Sequence, residues 1–352
     1  MAFTATKREE IKSYIIHLIG QGQYSGKFDK NKVLEKYGVS EQTVFRYLRD
    51  LEGEGRIMRQ RYDKKSYRYE LPKETTVFHA KIQGLQEDVV WARNFAKAAE
   101  AVPDNARRIC TYIFTEMLNN VIDHSDGDCV NIVIDTSEAC TMIAIKDDGI
   151  GIFNKISKAM NLPEKRFAVL ELAKGKFTTE PQSHTGEGIF FSTKAADDFA
   201  ITSDGIFFTK NEDIDAYYGA KGYVVDNTTS VTGGTCFIFV VFHLRDETLT
   251  DVFAKYTEHP DGYGFNQTTV PVRLLEYGNS SPDFISRSQA KRLIARFEKF
   301  SSIILDFDGV DEIGQGFADE IFRVFTNLHP EITLTTKNCT AAVARMIGHA
   351  GG

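Results

Sequence analysis

Residues 142–152 read MIAIKDDGIGI, an apolar run that continues directly into two acids and two glycines. The run Met142–Lys146 predicts a strand, and Asp147 stands at its end. A carboxylate held at a strand end can accept a hydrogen bond from an exocyclic amine. Gly149 and Gly151 permit positive φ and a close approach of the backbone to a flat ligand. A plain hairpin turn gives the same short pattern, so the interpretation depends on the neighbouring segments.

A long helix is predicted before this strand, over Asp104–His124, because Pro103 suits the start of a helix. Glu116 and Asn120 are four residues apart, which places a carboxylate and an amide on the same face one turn apart. The residues around them are apolar and predict a buried helix: Phe114, Met117, Leu118 and Val121. Polar groups beside a core need partners, so this pair is a candidate site rather than an ordinary surface pair.

Two further glycine-containing segments follow. Thr185-Gly186-Glu187-Gly188 precedes an apolar helix start at Ile189. Glycines that open a helix favour an anion, because free amides and the positive helix end both point at it. Gly233-Gly234-Thr235 leads into the predicted strand Cys236–Phe242.

These four segments, in this order, resemble the motifs of the GHKL ATPases, the group of gyrases, chaperones and histidine kinases. Glu116 to Asn120 is similar to their N box, Asp147 to Gly151 to their first glycine box, and Gly186 to Gly188 to their second. Gly234-Thr235 is similar to their terminal threonine motif. The resemblance covers residues 77–245 and implies an α/β sandwich that binds ATP with Mg²⁺.

The resemblance also implies roles for single residues. Asn120 would coordinate magnesium, Asp147 would bond the adenine amine, and Glu116 would orient or deprotonate the attacking nucleophile. The amides of Gly186 and Gly188 would hold the phosphates, beneath a mobile lid at about 154–185. The remaining expected nucleotide contacts are Gly149, Gly151, Thr185 and Thr235. The helices on either side of Pro103 look most like the anti-sigma-factor kinases, and no dimerisation helix with a phospho-acceptor histidine supports a histidine kinase.

The first 73 residues have a different pattern. A helix is predicted over Lys7–Gly20, a second over Lys30–Tyr37 with Gly38 at its end, and a third that Ser40 caps. Two short alternating runs follow, Ile57–Tyr62 and Tyr67–Leu71. This order resembles a winged-helix DNA-binding domain, which we assign to residues 1–73.

In that family the second helix of the motif enters the major groove and the hairpin forms a wing. The resemblance implies that the following residues face DNA: Gln42, Thr43, Arg46, Tyr47, Arg49, Arg59, Arg61, Lys64, Lys65 and Arg68. Residues 1–73 contain 16 Lys and Arg against 10 Asp and Glu, whereas the remainder contains 26 against 39. Such an imbalance favours a basic segment that meets double-stranded DNA. The alternative is a module for protein contacts whose charges are solvated.

Residues 265–352 alternate strand and helix, with strands predicted at Val270–Leu275, Ser302–Phe307 and Glu331–Thr335. The segment resembles a STAS-like domain, the fold of anti-sigma-factor antagonists. Those antagonists carry a phosphorylated serine or threonine where this chain has Gly314, Gln315 and Gly316. That departure argues against phosphorylation of this domain, and the acids Asp308, Asp311 and Glu312 read best as a solvated loop.

Composition limits the remaining possibilities. No apolar run approaches the roughly 18 residues of a membrane span, and the first 20 residues lack a signal-peptide pattern. The five cysteines show no metal-ligand spacing. We therefore expect a cytoplasmic protein with reduced cysteines.

The expected fold class is multidomain α/β: a winged helix-turn-helix, a histidine-kinase-like ATPase sandwich and a small STAS-like domain. The first hypothesis is a transcriptional regulator whose DNA binding is controlled by ATP binding or hydrolysis. The alternative is an anti-sigma-type serine/threonine protein kinase that acts on a separate partner. A slow ATPase activity fits either, and a scaffold without hydrolysis is disfavoured because Glu116 and Asn120 are both present. Expected partners are DNA, a protein bound through the STAS-like domain and a second copy of the chain.

Overall fold

The computed structural model describes residues 4–25, 28–61, 67–177, 186–209, 224–226, 233–257, 265–278, 284 and 286–351. Within these residues there is a two-stranded sheet, a seven-stranded sheet and a three-stranded sheet. We name the parts built on them the N-terminal domain (residues 4–72), the central domain (73–257) and the C-terminal domain (265–351).

The N-terminal domain consists of three helices and a hairpin: α1 Ala5–Ser25, α2 Lys30–Tyr37, α3 Glu41–Gly53, β1 Met58–Arg61 and β2 Tyr67–Glu70. Gly38 ends α2 in the left-handed conformation, with φ 61°. Ser40 caps α3 by accepting a hydrogen bond from the amide of Thr43. Helix α1 extends beyond its predicted end at Gly20. The elements otherwise lie at or within one residue of the predicted positions, because these boundaries are set by local caps.

The central domain is built on an antiparallel sheet in the order β3-β4-β5-β9-β6-β7-β8. Its strands are β3 Lys73–Lys81, β4 Cys129–Ser137, β5 Cys140–Asp147, β6 Asp198–Ser203, β7 Ile206–Thr209, β8 Val224–Asp226 and β9 Cys236–Phe242. The segment Lys73–Thr76, at the junction of the expected domains 1–73 and 77–245, is the first half of β3 and is paired with β4. Its polar character suits an edge strand, which keeps much of its surface in water.

The helices of the central domain are α4 Glu87–Asn94, α5 Ala96–Ala99, α6 Asp104–His124, α7 Ile152–Ala159, α8 Phe167–Lys174, α9 Gly188–Ala195 and α10 Leu249–Ala254. Helix α6 has the predicted bounds and buries eight side chains, including Phe114, Met117 and Leu118. The helix expected before Pro103 is divided into α4 and α5. The segment expected to form a mobile lid, at about 154–185, contains α8, in which seven of eight residues are buried.

The C-terminal domain has three parallel strands in the order β10-β11-β12. They are β10 Gln267–Pro271, β11 Ser302–Asp306 and β12 Thr333–Lys337, with helices α11 Arg287–Ile294, α12 Gln315–Asp319 and α13 Ala341–Gly351. The first strand begins and ends earlier than predicted, and Val272–Gly278 is a 3₁₀-helix. Its core is continuous with that of the central domain: the rings of Phe190 and Phe265 are 4.4 Å apart.

No helix in the described part of the chain combines the length and the apolar character that crossing a membrane requires.

Candidate functional site

Asp147 is a buried carboxylate at the end of β5, with only 3% of its surface exposed. Its Oδ1 accepts hydrogen bonds from the amides of Gly149 at 2.8 Å and Thr235 at 3.2 Å. These bonds fix the carboxylate and leave Oδ2 for a ligand. Burial raises the pKa of Asp147, and the two amide donors oppose that shift.

A small pocket open to solvent, with a cavity volume of about 40 Å³, lies beside this carboxylate. It is lined by Asn120, His124, Ser125, Asp147, Gly151, Ile152, Lys155, Thr235 and Phe237. Three of the four predicted motifs therefore meet at one pocket, although they are far apart in sequence. Six of these nine residues have polar side chains, and Ile152 and Phe237 provide apolar surface.

The loops after β5 and before β9 cross with their backbones in contact. Gly234 donates its amide to the carbonyl of Gly149 at 2.6 Å. A Cβ at Gly234 would overlap the carbonyl of Asp147, and one at Gly149 would overlap that of Ser125. Only glycine fits at these two positions, so they let the two loops pack closely beside Asp147.

Thr235 connects the same loops. Its amide bonds Asp147, and its hydroxyl oxygen accepts the amide of Ile152 at 2.9 Å, at the start of α7. The threonine was predicted as a nucleotide contact, and the structure adds that it holds the first turn of α7 against the pocket.

Glu116 and Asn120 lie on one face of α6, as their spacing predicted. The Asn120 amide nitrogen donates to the carbonyl of Glu116 at 2.7 Å, which leaves Oδ1 as the atom available to a cation. The Glu116 carboxylate lies against Gly188, where a Cβ would overlap Oε2. Gly188 is the first residue of α9, so a carboxylate and a helix N-terminus meet here.

The second glycine of this turn also packs closely. Gly186 has φ 71°, and a Cβ there would overlap the backbone of Phe177. Thr185, the predicted neighbour, lies outside the described residues. The turn at 186–188 thus rests on Glu116 from one side and on Phe177 from the other.

These residues fit a magnesium nucleotide. The described residues hold no group of three or more His, Cys, Asp or Glu side chains that could bind a metal ion unaided. Mg²⁺ commonly takes few protein ligands and completes its coordination with phosphates and water. Asn120 could supply one such ligand, and the backbone amides near Gly188 could bind phosphate oxygens.

Lys155 is a pocket residue that the sequence prediction missed. Its Nζ donates to the carbonyl of His124 at 2.8 Å, which holds the cation at the pocket wall. The feature that could have identified Lys155 is its position four residues after Gly151, on the helix that begins at the pocket.

The residues predicted to face DNA lie on α3 and the hairpin. Gln42, Arg46, Arg49, Arg59, Arg61 and Arg68 are exposed, and Thr43 is half-buried beside Ser40. Lys64 and Lys65 fall outside the described residues. The prediction for Tyr47 is wrong, since its side chain is 1% exposed. Tyr47 lies three residues after Val44 and four before Leu51, so it shares their buried face.

Comparison with known families agrees with the fold and the pocket. Residues 105–246 match the family described as histidine kinase-, DNA gyrase B-, and HSP90-like ATPase. Residues 289–344 match the STAS-like domain of unknown function (DUF4325). The chain therefore contains an ATP-binding domain of the GHKL type and a C-terminal STAS-like domain, as the motifs predicted. No curated protein matches the chain.

Proposed function

We propose that this chain is an ATP-controlled DNA-binding regulator, in which nucleotide at the central domain alters DNA binding by the N-terminal domain. The observation that supports the proposal is that β5 connects the N-terminal domain to the nucleotide pocket. This strand begins beside the surface that holds the N-terminal domain and ends at Asp147 in the nucleotide pocket.

The N-terminal domain docks on the turn between β4 and β5. Arg56 donates to both carboxylate oxygens of Glu138, through Nε at 3.1 Å and through Nη2. Ala139 is 3% exposed and belongs to the core of the N-terminal domain. A Cβ at Gly20 would lie 2.6 Å from that of Ala139, so helix and turn are in close contact. A shift of β5 would therefore move the docking surface.

The exposed face of α3 supports DNA as the partner. Gln42, Arg46 and Arg49 lie one turn apart along it. The acids at either end are paired: Glu41 with Lys30, and Glu52 with Arg59 at 3.6 Å. The third acid of α3, Asp50, is exposed. The guanidinium groups of Arg46 and Arg49 can bind phosphates, and the guanidinium and amide groups suit base edges.

At the nucleotide pocket, the proposed contacts follow the geometry. Asp147 Oδ2 accepts the adenine amine, Gly149 and Gly151 let the base approach, and Thr235 holds the loops. The amides at Gly186 and Gly188 bind phosphates, and Asn120 contributes to a magnesium site. A nucleotide can drive the change only if it binds one domain arrangement more tightly than another.

Binding of labelled duplex DNA by the intact chain tests the DNA interface. We expect the double variant Arg46→Ala with Arg49→Ala to bind DNA more weakly. The slope of the logarithm of the affinity against the logarithm of the salt concentration should become shallower by about one for each phosphate contact that is lost. The matched control is Arg93→Ala, an exposed arginine on α4 of the central domain. Equal binding by all three proteins, or no binding by the wild type, would reject DNA as the partner.

A second candidate function is a serine/threonine protein kinase that acts on a separate protein. It is favoured by the position of Glu116, whose carboxylate lies at the N-terminus of α9 where it could activate a hydroxyl nucleophile. Labelled phosphate from γ-labelled ATP on a co-purified protein would support this candidate. Phosphate release to water alone would count against it.

A further inference from the structure

The C-terminal domain is hydrogen-bonded to the end of α8 and to the residues that follow it, near the turn at Gly186–Gly188. Arg296, which follows α11, reaches into the central domain and donates through Nη2 to the carbonyls of Gly175 at 2.9 Å and Lys176 at 2.6 Å. Through Nη1 it donates to Glu171 Oε2 at 2.9 Å. A single guanidinium therefore holds both the end of α8 and the residues after it.

The contact made by Arg296 is part of a buried ionic cluster whose charged groups have hydrogen-bond partners. The Lys174 side chain is fully buried and donates to Glu171 at 2.7 Å. It also donates to the carbonyls of Arg292 at 3.0 Å and Ala295 at 2.9 Å. An ammonium has three protons, and here each has an acceptor, two of which lie in the C-terminal domain. Fully paired buried ions fix one geometry, because any shift leaves a charge without its partner.

Unusual backbone conformations are concentrated at the same contact. Arg296 has φ 68° and Lys176 has φ 52°, which side-chain-bearing residues rarely adopt. Gly175 has φ 83° and ψ −176°, a region open essentially to glycine alone. Such strain persists only where the surroundings hold it, and it is concentrated at functional positions.

The segment held by Arg296 packs against the proposed phosphate-binding turn. Phe177 lies beneath Arg296, with the guanidinium 5.4 Å from the ring centre, and Gly186 packs on the Phe177 backbone. Helix α9, which begins at Gly188, packs Phe190 and Phe191 against Phe265 of the C-terminal domain at 4.4 and 5.1 Å. Both sides of the turn therefore depend on the C-terminal domain.

We propose that Arg296 is a positioning residue for nucleotide phosphates: by holding residues 175–177, the C-terminal domain sets the turn at Gly186–Gly188 in its phosphate-binding position. The proposal rests on the role of that turn in the proposed function. The adenine end of the pocket, at Asp147 and Thr235, makes no contact with Arg296 among the interactions described. Binding of the phosphates and binding of the base should therefore respond differently to its loss.

The test is calorimetric titration of magnesium ATP, and separately of adenosine, into the intact chain. For Arg296→Asn, which tolerates the left-handed backbone but lacks the guanidinium, we expect ATP affinity to fall at least tenfold. Adenosine affinity should stay within about twofold. The control is Arg287→Ala, an exposed arginine on α11 that pairs with Asp319, and it should bind both ligands as the wild type does.

A second variant covers the case in which the single change prevents folding. Glu171→Leu with Lys174→Met and Arg296→Met removes every charge of the cluster, and such replacements commonly preserve stability. It still lacks the donors to Gly175 and Lys176, so we expect the same selective loss of ATP affinity. Unchanged ATP affinity in a folded variant, or equal losses for ATP and adenosine, would overturn the proposal. Failure of the wild type to bind ATP would instead overturn the proposed function, and this inference with it.

Discussion

Asp147 and Asp148 are adjacent acids in very different surroundings. Asp147 is buried at the pocket, whereas Asp148 is exposed and accepts the amides of Asp128 at 2.8 Å and Cys129 at 2.9 Å. The neighbouring amides hold the pKa of Asp148 below its usual value, and burial raises that of Asp147. The two positions therefore offer a matched pair of substitutions.

We expect Asp147→Asn to reduce ATP affinity at least 100-fold. Asparagine keeps one oxygen for the amides of Gly149 and Thr235 but presents an NH₂ donor where the adenine amine needs an acceptor. Asp148→Asn should bind ATP within about threefold of the wild type. Calorimetry on the two variants decides the assignment, and normal ATP binding by Asp147→Asn would show that the adenine contact lies elsewhere.

Glu116 is the expected catalytic carboxylate. Glu116→Gln keeps the shape beside Gly188 but removes the proton acceptor, so we expect ATP binding to persist. The rate of phosphate release should fall by about 100-fold or more, the usual contribution of a general base. A continuous phosphate assay measures this rate, and an unchanged rate would exclude Glu116 as the base.

At the scale of elements, the contact between α1 and the end of β9 contains two half-buried histidines. His17 packs edge-on against Phe242, with ring centres 5.4 Å apart, and His243 bonds Thr141 and the carbonyl of Glu138. Burial lowers the pKa of both side chains. The carboxylate of Asp197 opposes the shift at His17, while Lys36 and Lys32 add to it.

This contact should weaken in acid. A histidine whose folded pKa lies below its ordinary value of about 6.5 stays neutral when folded but takes a proton when released. Docking is therefore strongest above about pH 6.5 and is lost progressively as the pH falls towards the folded pKa. We expect hydrogen exchange in α1 and in the β4–β5 turn, corrected for intrinsic rates, to accelerate between pH 7.5 and 5.5. His17→Gln should reduce that dependence, and a pH-independent exchange would contradict it.

Element boundaries were predictable where a local signal sets them. Gly38 marks the end of α2, Ser40 marks the start of α3, and Pro103 marks the start of α6. These signals are local, because caps act through neighbouring residues. Strand β3 was missed in part because an edge strand can be polar on both faces. Helix α8 was missed although Phe167–Leu170 is apolar, because it lies within the segment at about 154–185 that the resemblance assigned to a mobile lid.

The candidate site shows the same division. Three of the four motifs located the pocket, since each is a short local sequence. The burial of Glu171 and Lys174 was not predictable, because their partners at Arg292, Ala295 and Arg296 lie more than 100 residues further along the chain. Tyr47 is a different kind of error. It was predicted to face DNA from the family resemblance, although its helical spacing from Val44 and Leu51 already indicated a core position.

At the scale of the whole molecule, the central domain is held from two sides. The N-terminal domain contacts the start of β5. The C-terminal domain contacts α8 and α9, on either side of the turn at Gly186–Gly188. A nucleotide bound in the pocket would lie against the elements that carry both contacts. In the proposed function, this arrangement would let ATP influence DNA binding and would let the C-terminal domain influence ATP binding.

The most direct test is the DNA affinity of the intact chain without nucleotide, with ADP and with a non-hydrolysable ATP analogue, for the wild type and for Asp147→Asn. The account predicts that nucleotide changes the wild-type affinity by at least about fivefold, the usual lower range of coupling between sites. It predicts no change for Asp147→Asn. Equal wild-type affinities in all three states would contradict control of DNA binding by ATP.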